Sequence, residues 1–294
     1  MYLKPKVSVV TITYGHEKYI VETLDGVLMQ TYDGPVEFII ANDDSPDNTD
    51  GVIRRYFEEH NPPSNFTINY VRHEKNKGMN LNFLWALKQA SGNYIALCEG
   101  DDYWNDPLKL QKQVDFMEQN HGYSACQHNR VLLDRFGNLT FKPFKKSIYT
   151  QCVLFRNILC GDYYNKAKHI FNGDTFLEYY LKTKGSFGYL DFIGAVYRYN
   201  GKGVYSSQND SDRVTTSIAS YHEILSALPL LKKTHKTELQ KIIIELQYIL
   251  AYNEKGQRQK KHFKEYCRLL FSFKNFSVID CKRIIKYFLT HNFL

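Results

Sequence analysis

The densest chemistry in the chain is Glu99-Gly100-Asp101-Asp102, three carboxylates in four positions. Hard carboxylate oxygens suit Mg²⁺ or Mn²⁺, which bridge protein acids to phosphate oxygens. An isolated acidic turn is ordinary loop material. This one follows an apolar stretch, YIALC at 94–98, and precedes Asp106-Pro107, an N-cap acid with proline at the first helical position. Three more polar clusters close apolar stretches in the same way: Tyr14-Gly15-His16, Asn42-Asp43-Asp44 and His73-Glu74-Lys75.

The elements that would position these clusters alternate. VSVVTIT at 7–13 and VEFIIA at 36–41 are short, β-branched and apolar, as strands buried on both faces should be. Ile20, Leu24, Val27 and Leu28 share one face of a helix over 17–30, and Val52, Ile53, Tyr56 and Phe57 mark a second. A strand at 67–72, a helix at 81–90 and a strand at 94–98 continue the order. This β-α-β pattern predicts an α/β fold with a mostly parallel sheet flanked by helices, whose ligands bind at the carboxyl ends of the strands. Leu110, Val114 and Met117 give the next helix its stripe. Short strands are expected near 124–134, 139–142 and 189–199, and helices from about 216 to the end. The Gly-, Ser- and Asn-rich stretch 201–212 sets a boundary between a domain at 1–215 and a helical region at 216–294.

Charge separates the same two parts. The whole chain carries +7, but residues 230–294 hold fourteen Lys and Arg against five acids, a local +9 that leaves the remainder at −2. RLLFSFKNFSVIDCKRIIKYFLTHNFL, at 268–294, interleaves apolar and basic residues at helical spacing. Such a segment either packs its apolar face on protein or rests on an anionic membrane surface; nucleic acid is the less fitting partner. Six cysteines show no CxxC pair, and no apolar run approaches the ~18 residues of a membrane span. A cytoplasmic protein, peripheral at most on the inner membrane face, is the expectation. GxGxxG, GxxxxGK[ST], GxSxG and HExxH are absent, against dinucleotide, P-loop, α/β-hydrolase and zinc-protease chemistry.

Five stretches carry a resemblance: VSVVTITYGHEKYI (7–20), VEFIIANDDSPDNT (36–49), NKGMNLNFLWALKQASGNYIALCEGDDYW (76–104), NGDTFLEYYL (172–181) and YLDFIGAVYRYNGKG (189–203). In order and spacing they resemble the family 2 glycosyltransferases of GT-A, Rossmann-like fold, over roughly residues 5–205. The resemblance implies transfer of a sugar, with inversion, from a nucleotide-sugar donor, UDP-linked by preference, to a hydroxyl of a glycan or lipid-linked glycan. Assembly of cell-surface polysaccharide or lipopolysaccharide is the implied setting. Thr13, Tyr14, Glu17, Asp43, Glu99 and Asp101 would contact the nucleotide-sugar. Asp101 and Asp102 would hold Mn²⁺ or Mg²⁺, with Glu99 standing where the family usually has Asp. Asp174 would be the general base, its other reading being a cap of the helix over 175–182; Asp162 and Asp191 are its rivals. Arg198, Asn200 and Lys202 are the expected diphosphate contacts, Asn200 replacing the family's usual His. His128 and Arg156 fall where an acceptor would lie. The alternatives are a nucleotidyltransferase, or a catalytically inactive nucleotide- or carbohydrate-binding relative.

Overall fold

The computed structural model describes residues 4–142, 148–199, 210–253, 256–273, 279–280, 282–284 and 286. It divides into two compact units, Met1–Gly203 and Val204–Leu294.

In the first unit, β1 (Val7–Thr13), β2 (Val36–Asn42), β3 (Phe66–Arg72) and β4 (Tyr94–Leu97) are parallel, in the order β3-β2-β1-β4. Helices α1 (Ile20–Leu28), α2 (Thr49–Glu59) and α3 (Met79–Gln89) form the crossovers. β1 and β2 are nearly continuous apolar runs because both faces are covered; Ile20, Leu24, Val27 and Ile53 are fully buried against them. Each buried branched side chain contributes about 1.5–3 kcal/mol of apolar burial. α1 closes tightly on the two-residue strand β5 (Tyr103–Trp104): a Cβ at Gly26 would lie 2.7 Å from the Trp104 carbonyl oxygen, so this crossing needs glycine.

Beyond β4 the sheet ceases to be parallel. β6 (Tyr123–Leu133), β7 (Leu139–Lys142), β8 (Val153–Arg156) and β9 (Ser186–Arg198) complete nine strands in the order β3-β2-β1-β4-β8-β6-β9-β5, with β7 paired to β6. The expectation of a mostly parallel sheet therefore holds for the first four strands and is corrected for the rest. β8 runs antiparallel to both β4 and β6, β5 antiparallel to β9, and only β6 and β9 are parallel. β5 and β8, too short to show a period, were not foreseen. α4 (Lys109–Gln119) begins after Asp106, whose carboxylate instead accepts the Leu108 N–H at 2.9 Å in the preceding turn. α5 (Gly161–Ala167) and α6 (Gly173–Lys182) lie between β8 and β9.

The second unit comprises α7 (Asp210–Ala227), α8 (Lys233–Asn253) and α9 (Gly256–Phe273). Phe263, Tyr266, Leu269 and Leu270 of α9 are buried with Ile243, Ile244 and Ala251 of α8. The apolar stripe at the start of the 268–294 segment thus packs inside its own unit, and among the described residues of that segment Phe271 and Ile279 are the exposed large hydrophobics. No helix among the described residues is long and apolar enough to cross a membrane.

Candidate active site

The carboxyl ends of β1 and β2 are laced together. Thr13 pairs with Asn42 across the two strands, so Tyr14 and Asp43 leave the sheet side by side. The Gly15 N–H donates to Ser45 Oγ at 3.0 Å and the His16 N–H to Thr49 Oγ1 at 3.0 Å. Glu17 and Asp47 cross-tie the loops: the Glu17 N–H donates to Asp47, and Glu17 Oε2 accepts from the Asn48 N–H at 3.2 Å. Thr13 is buried, whereas Tyr14 is 49% exposed, an aromatic face open to a ligand. Asp43 is buried, its two oxygens accepting the Lys77 and Gly78 N–H groups at 2.8 and 2.9 Å. It anchors the turn that starts α3. Asp44 takes a left-handed φ of 56° and receives Arg72 Nη2 at 2.8 Å.

The acidic loop sits against β1. The Gly100 N–H donates to the Ile12 carbonyl, and a Cβ on Gly100 would meet Thr13 Oγ1 at 2.7 Å and His16 Nδ1 at 2.8 Å. Only glycine allows this approach. Asp101 is carried toward His16, with Oδ2 3.9 Å from Nε2. Burial holds the His16 pKa below its ordinary value despite the nearby Asp101 and Asp47. Glu99 is pushed up to about 7 by burial, by Asp101 and by Asp174, against a hydrogen bond from Thr150 and the field of Arg130. Asp102 is only 2% exposed; its pKa is raised by burial and by Asp101 and Glu99, and its Oδ1 accepts the Arg198 N–H at 2.8 Å. Of the expected metal pair, Asp102 therefore keeps only its second oxygen for a cation.

Asp174 reaches the same crevice from the second turn-forming position of α6. Its Oδ1 accepts the Thr175 N–H at 2.7 Å, which is the capping role, yet the side chain is open to solvent. Open to water but ringed by protein, it occupies a recess, where burial raises its pKa. Two ties fix α6. Asn80, on α3, donates to the Ala167 and Ile170 carbonyls ahead of the helix. Glu178 accepts the Ile148 N–H at 3.0 Å and Lys182 Nζ at 2.6 Å, binding α6 to the segment that carries Tyr149 and Thr150.

Other expected residues are placed elsewhere. Arg198 is spoken for: its Nη2 donates to Glu22 at 2.7 Å and its Nε to the Asp101 carbonyl at 3.0 Å. Its charge is thus paired with Glu22 of α1. Asn200 and Lys202 lie outside the described residues. Arg156 holds the Met117 and Tyr123 carbonyls and the Tyr94 hydroxyl, a structural role. His128 is fully buried against Phe192, its pKa held well below normal by burial. Asp162 makes an exposed i,i+4 pair with Lys166. Asp191 accepts from Asn129 Nδ2 at 3.0 Å. Arg130 and Thr150 had no local signal in sequence; the long-range β8–β6–β9 pairing brings them near Glu99.

Among the described residues no three His, Cys, Asp or Glu side chains already stand in a cation-holding geometry. The donor set nevertheless suits a hard divalent ion: burial first, and the charges of Asp101 and Asp174 after it, raise Glu99 to about 7. A cation among them would offset those charges.

Residues 8–167 match the model of glycosyl transferase family 2. The chain is 34% identical over 213 residues to Rv1520 of Mycobacterium tuberculosis, covering 68% of this chain and 60% of that protein. It is 33% identical over 155 residues to the Escherichia coli UDP-Glc:alpha-D-GlcNAc-diphosphoundecaprenol beta-1,3-glucosyltransferase WfaP, covering 53% and 58%. The chain thus spans about 60% of the length of these two relatives. In fold it is similar to Staphylococcus aureus TarS in complex with UDP-GlcNAc, with a TM-score of 0.66 at 18% identity over 90% of this chain and 81% of that one.

Proposed function

The chain belongs to glycosyl transferase family 2 and has the GT-A fold, and on that premise we propose that it moves a sugar from a UDP-sugar to an acceptor hydroxyl with inversion, in cell-surface polysaccharide or lipopolysaccharide assembly. The observation that carries this reading is the meeting of Glu99, Asp101 and Asp174, from two distant segments, beside the exposed Tyr14 and the Asp43 turn. WfaP acts with UDP-Glc on a diphosphoundecaprenol-linked sugar, and TarS binds UDP-GlcNAc, which supports a uridine nucleotide and a glycan or lipid-linked acceptor.

In this reading Tyr14 stacks on the base, and Asp43 contacts it through lone pairs not used by the 77–78 amides. Asp174 takes the proton of the acceptor hydroxyl as that oxygen attacks the anomeric carbon, opposite the departing nucleoside diphosphate. Its raised pKa makes it a better base than an ordinary carboxylate. Asp101, with Glu99 and the free Asp102 oxygen near it, would hold Mn²⁺ or Mg²⁺, which when bound neutralises charge on the diphosphate. The test is release of nucleoside diphosphate from UDP-, GDP- and dTDP-sugars with acceptor present. Turnover is expected with a UDP-sugar, abolished by EDTA and restored by Mn²⁺; full turnover in EDTA would overturn the metal assignment.

The +9 of residues 230–294 supports a peripheral contact with an anionic membrane. Vesicles of anionic lipid should float the full chain at low salt and release it at high salt. Equal flotation with neutral lipid removes the electrostatic reading.

A further inference from the structure

Arg130 stands near the carboxylate cluster in an unusual state. Its guanidinium carbon lies 3.6 Å from the ring centroid of Tyr149 and 4.3 Å from that of Tyr197. Nε is buried without a hydrogen-bond partner. Among the described residues the side chain makes no hydrogen bond or ion pair. Arg54, Arg72, Arg156 and Arg198 of the same unit all donate to carboxylates or carbonyls. The clamp is itself held in place: the Tyr149 N–H donates to Gln127 Oε1 on β6, and Glu178 grips the adjoining Ile148.

Two aromatic rings against the guanidinium carbon satisfy none of its five N–H donors, which lie along its edge. Withdrawing the Nε–H from water without a partner is unfavourable, and no group among the described residues meets it, which leaves it open to a bound ligand. Glu99 and Asp102 are close enough to feel its charge but form no ion pair with it. A planar fork held in one plane recognises a group with two oxygens on one atom. Arg198, the cation expected from sequence to face phosphate, is occupied by Glu22. We propose that Arg130, clamped by Tyr149 and Tyr197, is an oxyanion-binding residue of the cleft and takes a phosphate group, supplying the cation that Arg198 does not.

The location in a working cleft rests on the transferase reading, and the phosphate has two sources there: the donor's diphosphate or a phosphate of the acceptor. The experiment uses the full chain and follows the Arg130 Nε–H resonance, assigned by its loss in Arg130→Lys. Titration with inorganic phosphate should shift this resonance. Phosphate affinity should weaken about tenfold or more in both Arg130→Gln and Arg130→Lys, because lysine keeps the charge but not the fork. Repeating the titration with saturating UDP and Mg²⁺ separates the sources. Loss of the phosphate-induced shift assigns the site to the donor diphosphate, and its persistence assigns it to the acceptor. A resonance unmoved by phosphate in the parent chain overturns the inference, as does unaltered affinity in folded variants. None of these readouts needs turnover, so failure here is distinct from failure of the transferase reading.

Discussion

The two ends of strands β1, β2 and β4 each gather carboxylates, and the sheet treats them in opposite ways. At the amino ends Glu37 accepts from Lys6 Nζ at 2.7 Å, from Ser8 Oγ, from the Ser91 N–H and hydroxyl, and from the Gly92 N–H at 3.1 Å. Burial alone would raise its pKa; this ring of donors overrides that and holds it at about 2. At the carboxyl ends burial, with Asp101 and Asp174 for neighbours, lifts Glu99 to about 7 against the pull of Thr150 and Arg130. A carboxylate surrounded by donors is a structural part. Several carboxylates surrounded by one another are a site awaiting a partner.

The sharpest way to break this contrast is at Asp174. Asp174→Asn keeps the size and most of the capping at the Thr175 amide, so stability should hardly change. Turnover should fall by roughly 10²–10⁴, with nucleotide binding retained. The same change at Asp162 or Asp191 should leave turnover near normal. If Asp174→Asn stays active while Asp191→Asn collapses, the base has been placed on the wrong residue.

Glu37→Gln should give the reverse signature. Its depressed pKa supplies stability above the unfolded value near 4.5, lost progressively as pH falls toward about 2. Urea unfolding at pH 7 should show about 2–3 kcal/mol less stability in the variant, and the difference should shrink as pH drops below 4.5. Turnover per folded molecule should be unchanged. An acid-sensitivity identical in both proteins would remove Glu37 from the structural class.

Asp43 lies between the two classes, being at the carboxyl end but with both oxygens on backbone amides. Asp43→Ala should weaken nucleoside diphosphate binding by about 1–3 kcal/mol by calorimetry. Lost stability with unchanged affinity would place it beside Glu37.

Much of the first half was legible because its information is local. The apolar runs of β1 and β2, the stripe of α1 and the polar strand ends follow from period and residue type, and a βαβ order admits few topologies. The acidic loop could be read for the same reason. How its carboxylates are engaged could not: Asp101 and Asp102 are adjacent in sequence, and the Arg198 N–H that binds Asp102 arrives from β9, 96 residues away.

The chain by itself therefore determined a parallel βαβ core, a polar crevice at its strand ends and the residues with the chemistry to fill it. The tertiary structure alone decided their neighbours. β8, four residues without a period, inserts antiparallel between β4 and β6, and β9 pairs with β6 across register shifts at 128–130. Those pairings deliver Thr150 to Glu99, hand Arg198 to Glu22 and set Arg130 against two rings. A side chain's charge and shape are written in its residue type, but whether they are already satisfied depends on contacts tens of residues away, which no local pattern encodes.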